Sequence, residues 1–155
     1  MSKEHPSVKI MWNEFIKNNN INPKTEYSAW PFGGEEKSAN ELVELVIRGQ
    51  KRATASLYEI YEYIGEPLPK AGDYSVVTDW KGVARCVIIT TGVEIIPFNL
   101  VSEEFARKEG EGDLSLEYWR EVHREFFSKE LKETSGKEFK EDMPVVCEEF
   151  ELVFS

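Results

Sequence analysis

The sequence predicts an α+β fold with a mostly antiparallel sheet, held in a single domain over residues 1–155. Helix-period segments and short apolar runs follow one another without a regular strand–helix–strand rhythm. Two of the runs, Tyr74 to Trp80 and Val83 to Ile89, are separated only by Lys81-Gly82, a hairpin signal. With 155 residues and a hydrophobic share of 41%, the chain is long and apolar enough for one core.

Each element has its own justification. Residues 7–18 form a first helix, with Ser7 as cap and Val8, Met11, Phe15 and Ile16 near one face. The run Asn18 to Asn22, followed by Pro23, ends it. Tyr27 to Gly34 shows neither period and reads as an aromatic loop. Residues 1–37 are thus an N-terminal helix and loop, and 38–155 the remaining core. Ser38 and Glu41 are spaced as a capping box for a second helix, with Leu42, Leu45 and Val46 as its stripe and Gly49 as its left-handed end. Ala53 to Tyr58 is extended. Gly65 to Gly72 is a loop, and the apolar run resumes from Gly92 to Phe98, where Pro97 marks a strand end. Ser102 caps a helix over 103–109, and Asp113 or Ser115 caps a longer one reaching about Leu131. Ser135 to Met143 is polar surface, and Pro144 precedes a final strand from Val145 to Val153.

Charge narrows the partners. The net charge is −10, from 19 basic and 29 acidic residues. Such a chain lacks the basic footprint of a protein that grips long nucleic acid through many phosphates. A small nucleoside or nucleotide, or a short RNA, fits better than a long duplex. No apolar stretch approaches the roughly 20 residues of a membrane span, and Met-Ser-Lys-Glu-His-Pro carries no signal-like apolar region. A cytoplasmic protein without a membrane partner is expected, of unspecified oligomeric state. Cys86 and Cys147 fall inside strands and read as buried thiols. Neither has a neighbouring Cys or His at ligand spacing, which argues against zinc. The run Glu109, Glu111 and Asp113 offers oxygen ligands for a divalent cation but lacks the EF-hand spacing, so neither a metal nor another cofactor is expected.

The residues that bear chemistry gather around the end of the second helix. Gly49-Gln50-Lys51-Arg52-Ala53-Thr54 places a lysine and a threonine hydroxyl just past a sharp turn. A lysine serves as a base when burial and nearby cations lower its pKa, and Arg48, Arg52 and Arg85 are the cations available. A threonine needs an adjacent base to become a nucleophile. Three residues apart, Lys51 and Thr54 would point to opposite faces of a regular strand, so they converge only if the strand begins after Lys51 or bulges.

This Gly-x-Lys-x-x-Thr pattern resembles the signature of the ASCH domain family, within the PUA-like superfamily of RNA-binding barrels. Gly72-Asp73, the segment Phe105 to Asp113, the helix from Leu116 to Phe127 and the closing strand extend the resemblance over residues 38–155. The likeness implies a β-barrel with flanking helices. From amidohydrolase-type relatives it also implies a catalytic set of Lys51, Thr54 and a glutamate, aligned at Glu109, with Glu111 as a rival two residues away. Arg52, Arg85, Glu111 and the Gly49 backbone would help hold the substrate, the backbone N–H groups near Gly49 serving as oxyanion donors. Trp30 and Phe32 would either stack on a base or cover the core. His123, on the apolar side of the long helix, reads as a packing residue. Hydrolysis of an amide on a modified nucleoside such as an acylated cytidine is the leading expectation. A ribonuclease acting on short single-stranded RNA and a non-catalytic RNA- or nucleotide-binding module remain alternatives.

Overall fold

A computed structural model of the chain describes residues 4–155; Met1–Lys3 of the N-terminal segment lie outside it. The elements run α1 (Pro6–Asn18), β1 (Tyr27–Pro31), α2 (Glu36–Ile47), β2 (Ala53–Leu57), α3 (Tyr58–Ile64), β3 (Tyr74–Thr78), β4 (Ala84–Pro97), a 3-10 turn (Phe98–Leu100), α4 (Glu103–Glu109), α5 (Leu116–Glu133) and β5 (Pro144–Phe154). The strand order is β1-β3-β4-β5-β2. β3 pairs antiparallel with β4, as the hairpin signal predicts, and β2 pairs antiparallel with β5; β1 lies parallel to β3. The α+β class and the mostly antiparallel sheet are as expected.

The chain divides into two compact units interleaved in sequence: residues up to Gln50 with Ala71–Thr91 and Phe150–Ser155, and Lys51–Lys70 with Gly92–Glu149. The first unit has two apolar clusters. One buries Val8, Trp12 and Phe15 of α1 with Val76 and Val87; the other buries Val43 and Val46 of α2 with Phe32, Val77, Cys86, Ile88 and Phe150. The second unit has one cluster, in which Ala53 and Leu57 of β2 pack with Phe105 and Ala106 of α4, Trp119, Phe127 and Leu131 of α5, and Val145 and Cys147 of β5. Both cysteines are free and buried, and burial pushes each thiol up to about 12.

Several local expectations need correction. Tyr27 to Pro31 is a strand, because its backbone completes a ladder with β3 that no side-chain period announces. Helix α2 begins two residues before Ser38, so the Ser38–Glu41 capping box does not form; Ser38 Oγ turns instead to Glu35 Oε1 at 3.4 Å. Helix α1 is capped by His5, whose Nδ1 accepts from the Ser7 N–H, while Ser7 Oγ accepts from the Ala84 N–H at 2.8 Å. Tyr58 opens helix α3 instead of closing a strand, and α3 buries none of its residues, so no apolar stripe marks it.

Candidate functional site

The second unit brings Lys51 and Glu109 together through two short-range devices. Gly49 ends α2 in a left-handed turn, its N–H donating to Val46 O at 2.9 Å and the Gln50 N–H to Leu45 O at 2.9 Å. This paired closure is the Schellman arrangement. It commits both backbone donors to the helix end, so the expected oxyanion role of Gly49 is not available. Lys51 follows directly, and strand β2 begins only at Ala53.

On the other side, Ser102 caps α4 by accepting from the Phe105 N–H at 3.1 Å. The helical repeat then turns Phe105, Ala106 and Glu109 inward together. Gly110 ends α4 in left-handed backbone, and Gly112 repeats that conformation at φ 59°. A Cβ at Gly112 would stand 2.3 Å from the Tyr118 ring, so only glycine fits the return toward α5. Ser115, rather than Asp113, caps α5, with Asp113 Oδ1 accepting from the Ser115 N–H. The i, i+4 repeat buries Trp119, His123, Phe127 and Leu131 as one stripe.

The result is a compact charged centre. Lys51 is 1% exposed, and its Nζ donates to Glu109 Oε1 at 3.0 Å, Glu111 Oε2 at 2.8 Å and Ala53 O at 2.9 Å. The second oxygen of Glu109 accepts from Trp119 Nε1 and faces His123 Nε2 at 3.1 Å. His123 lies flat on the Trp119 indole, with ring centroids 4.2 Å apart, and its Nδ1 meets Trp119 O at 2.8 Å. The Glu111 side chain alone keeps appreciable solvent contact, at 17% exposure.

Proton affinities follow from this crowding. Burial alone would lower the Lys51 pKa, but the charges and hydrogen bonds of Glu109 and Glu111 outweigh it and raise the value. The cations expected to depress it do not set it. Arg85 is ion-paired with Glu44, and Arg52 is exposed, its backbone N–H donating to Lys108 O. Lys51 is therefore held as an ammonium, without the depressed pKa that the sequence reading expects of a general base. Burial works against ionised Glu109 too, yet Lys51, His123 and the indole hydrogen bond hold it well below the usual carboxylate range. Burial and the Glu109 charge prevail over Lys51 at Glu111 and raise its value. For His123, burial lowers the pKa, and the charge and hydrogen bond of Glu109 more than reverse this.

Glu109, Glu111 and His123 each offer a donor atom, all within 4.8 Å of one another, a set of the kind that holds a metal ion. Here the Lys51 ammonium already bridges both carboxylates and supplies the positive charge that such a set would otherwise seek.

The remaining expected site residues are placed differently. Thr54 is half-buried in β2 opposite Glu148 of β5. Strand alternation sends its side chain to the face opposite that of Ala53, Ala55 and Leu57, which pack in the cluster with α4 and α5. The geometry thus brings Lys51 to Glu109 and Glu111 without bringing Thr54 to them. In the first unit, Phe32 is buried in an apolar cluster and meets Trp30 edge-on at 4.9 Å, so its faces are covered. The sequence reading makes His123 a packing residue on the apolar side of the long helix and gives Trp119 no place in the site; both touch Glu109 instead. The signal that finds them is their i, i+4 spacing on a capped helix following an acidic turn.

Known proteins can now be set beside this geometry. The family model described as the ASCH domain matches residues 28–154. The chain is similar to the crystal structure of an ASCH domain from Lactobacillus crispatus JV V101, with 37% identity and a TM-score of 0.91 over 100% of this chain and 99% of that one. It is also similar to a protein of Enterococcus faecalis V583, with 38% identity and a TM-score of 0.87 over 96% of this chain and 88% of that one. None of the curated proteins is significantly similar. Among the described residues, no helix is long and apolar enough to cross a membrane. The expected PUA-like fold accords with these structures, and the chain belongs to the ASCH domain family.

Proposed function

We propose that this protein hydrolyses an amide on a small modified nucleoside, such as an acylated cytidine, at the centre formed by Lys51, Glu109 and Glu111. One observation carries the reading: a buried lysine bridges two carboxylates, at 3.0 and 2.8 Å, whose proton affinities are pushed in opposite directions. Buried ion pairs rarely repay their desolvation as stability alone. Paired carboxylates driven apart in pKa are the usual mark of divided acid and base roles.

In this reading Glu111, the exposed member, takes a proton from water as the oxygen attacks the amide carbonyl carbon. Charge gathering on the carbonyl oxygen is offset through space by the positive field of the Lys51 ammonium, whose N–H groups stay on Glu109, Glu111 and Ala53. Collapse breaks the C–N bond, and Glu111 returns the proton to the leaving amine, so that water and amide become acid and amine. Glu109 stays ionised and fixes Lys51. Thr54 has no step.

The test is release of free acid and cytidine from a panel of acylated cytidines. Wild type should turn over at least one of them, with Glu111→Gln reducing kcat by about 100-fold or more, the usual size of a lost acid–base group. No release from any panel member by wild type would sink the hydrolase. A second reading, recognition without turnover, draws support from the enclosure of Lys51 Nζ by acceptors. Saturable binding of the intact nucleoside, with no release, is its signature.

A further inference from the structure

We infer that His123 is an imidazolium in the folded protein and acts as a positioning residue that keeps Glu109 ionised and sets the proton affinity of Glu111. A carbonyl oxygen only accepts, so the contact of Nδ1 with Trp119 O at 2.8 Å requires a proton on Nδ1. A neutral ring with that proton would aim the Nε2 lone pair at Glu109 Oε2, 3.1 Å away. The same oxygen already accepts from the Trp119 indole, and the other oxygen of Glu109 faces the Lys51 ammonium. Two donors, the indole N–H and the ammonium, already favour the ionised form of this carboxylate, and an anionic oxygen cannot be faced by a lone pair at that distance. The ring must then carry a second proton on Nε2.

The surroundings agree. The Trp119 indole, stacked 19° from parallel, presents its electron-rich face to the ring, a good seat for a cation. Phe127 meets the ring edge-on from the next turn. The charged groups that face His123 are Glu109 from the end of α4 and Glu111 from the loop beyond it, with Lys51 across Glu109. The buried Cys147 thiol of β5 stands near Glu109 and, with its pKa at about 12, is uncharged at neutral pH. Two cations and two carboxylates then balance within the centre. Because Glu109 is bracketed by Lys51 and His123, Glu111 is the member left to exchange a proton. The protonation of His123 stands on geometry alone; its catalytic consequence rests on the proposed hydrolysis.

The measurement is long-range 1H–15N NMR of the imidazoles in the full chain, with 13C-carboxyl titration of Glu111. The chain has only two histidines, so the imidazole signals are few enough to assign. Both nitrogens of His123 should show protonated shifts at pH 7, and the ring should titrate above the ordinary imidazole value of 6.5. In Glu109→Gln it should titrate at lower pH than in wild type, because Glu111 is then the only carboxylate named beside it that still opposes burial. In His123→Gln, which keeps a polar side chain and loses the charge, the Glu111 carboxyl should titrate at higher pH than in wild type. A neutral His123 at pH 7 in wild type overturns the inference, as does a Glu111 titration unmoved by His123→Gln. Both readouts are independent of turnover. Protonated His123 with no amide hydrolysis would therefore remove the proposed function and leave this inference standing.

Discussion

The two units of this protein are built from the same kinds of element and treat buried polarity in opposite ways. The buried polar residues of the first unit are hydroxyls, Ser75, Thr78 and Thr90. Those of the second are ionisable: Lys51, Glu109, His123 and Glu148. Aromatic packing gives the first unit its shape, with Trp12 stacked on Tyr27 at 4.6 Å and Phe15 against Tyr74 at 5.5 Å. The second unit has comparable rings, and there one of them, Trp119, also spends its indole N–H on a carboxylate. Burial of uncharged rings stabilises wherever it occurs. Burial of charged groups does so only when their partners are present. The first unit should therefore respond to mutation by volume, and the second by charge balance.

The sharpest way to break that contrast is to remove one charge. Lys51→Met keeps volume and leaves two carboxylates facing each other, and should cost about 3–5 kcal/mol in urea unfolding. Adding Glu109→Gln should recover part of the loss, because fewer uncompensated charges then remain. A core truncation in the first unit, Phe15→Ala, should cost a similar ~3–5 kcal/mol. Its cost should be the same at pH 5 and pH 8, whereas the Lys51→Met cost should not. Equal pH dependence in the two variants would dissolve the distinction.

Each ionisable group of the centre gives stability its own pH dependence. Glu109 has a folded value below its ordinary 4.5, so its contribution is complete above that pH and fades as pH falls through the folded value. The stability gap between wild type and Glu109→Gln should narrow on acidification. His123 is raised above 6.5; its contribution is complete below that pH and fades as pH rises through the folded value. The gap between wild type and His123→Gln should narrow toward alkaline pH. Glu111 is raised above 4.5, so ionising it in the fold is disfavoured, and Glu111→Gln should gain on wild type as pH rises past 4.5. Gaps that move with pH in the reverse directions would contradict the charge assignments.

A smaller effect is expected at Gly112. A Cβ there meets the Tyr118 ring, and the backbone is left-handed, so Gly112→Ala should cost about 1–3 kcal/mol. If the acidic turn positions Glu111, this variant should also weaken amide hydrolysis. Lost stability with unchanged turnover would separate the turn from the site.

How far the sequence reveals each unit follows the same division. Elements with a local signature were legible: the β3–β4 hairpin at Lys81-Gly82, the cap and stripe of α5, and the left-handed end of α2 at Gly49. Strand β1 was not, since its ladder to β3 joins residues 47 apart and is parallel, which no short-range pattern encodes. Helix α3 was hidden because it is only seven residues long and none of them is fully buried. At the site, the family signature led to Lys51, Glu109 and Glu111. It did not reveal that carboxylates rather than arginines surround the lysine, and so it suggested a depressed pKa where the fold raises it. Thr54 carries the other half of the signature, yet the first strand residue is Ala53, and one step of alternation sends its hydroxyl to the other face.

The least effect concerns the capping serines, and it isolates why one sequence rule held and another failed. Ser115 accepts from the Tyr118 N–H at 3.0 Å at the true start of α5, so Ser115→Ala should cost about 1 kcal/mol. Ser38 has the same capping-box spacing to Glu41 and sits inside α2, which begins at Glu36. Its hydroxyl makes only a 3.4 Å contact with Glu35, so Ser38→Ala should lie within about 0.5 kcal/mol of wild type and on the stabilising side, since alanine is the better interior helix former. Thermal unfolding of the two variants side by side measures the difference. A cost of about 1 kcal/mol at Ser38 would mean that in solution α2 begins where its sequence says, and the first unit would then owe more to local signals than its packing suggests.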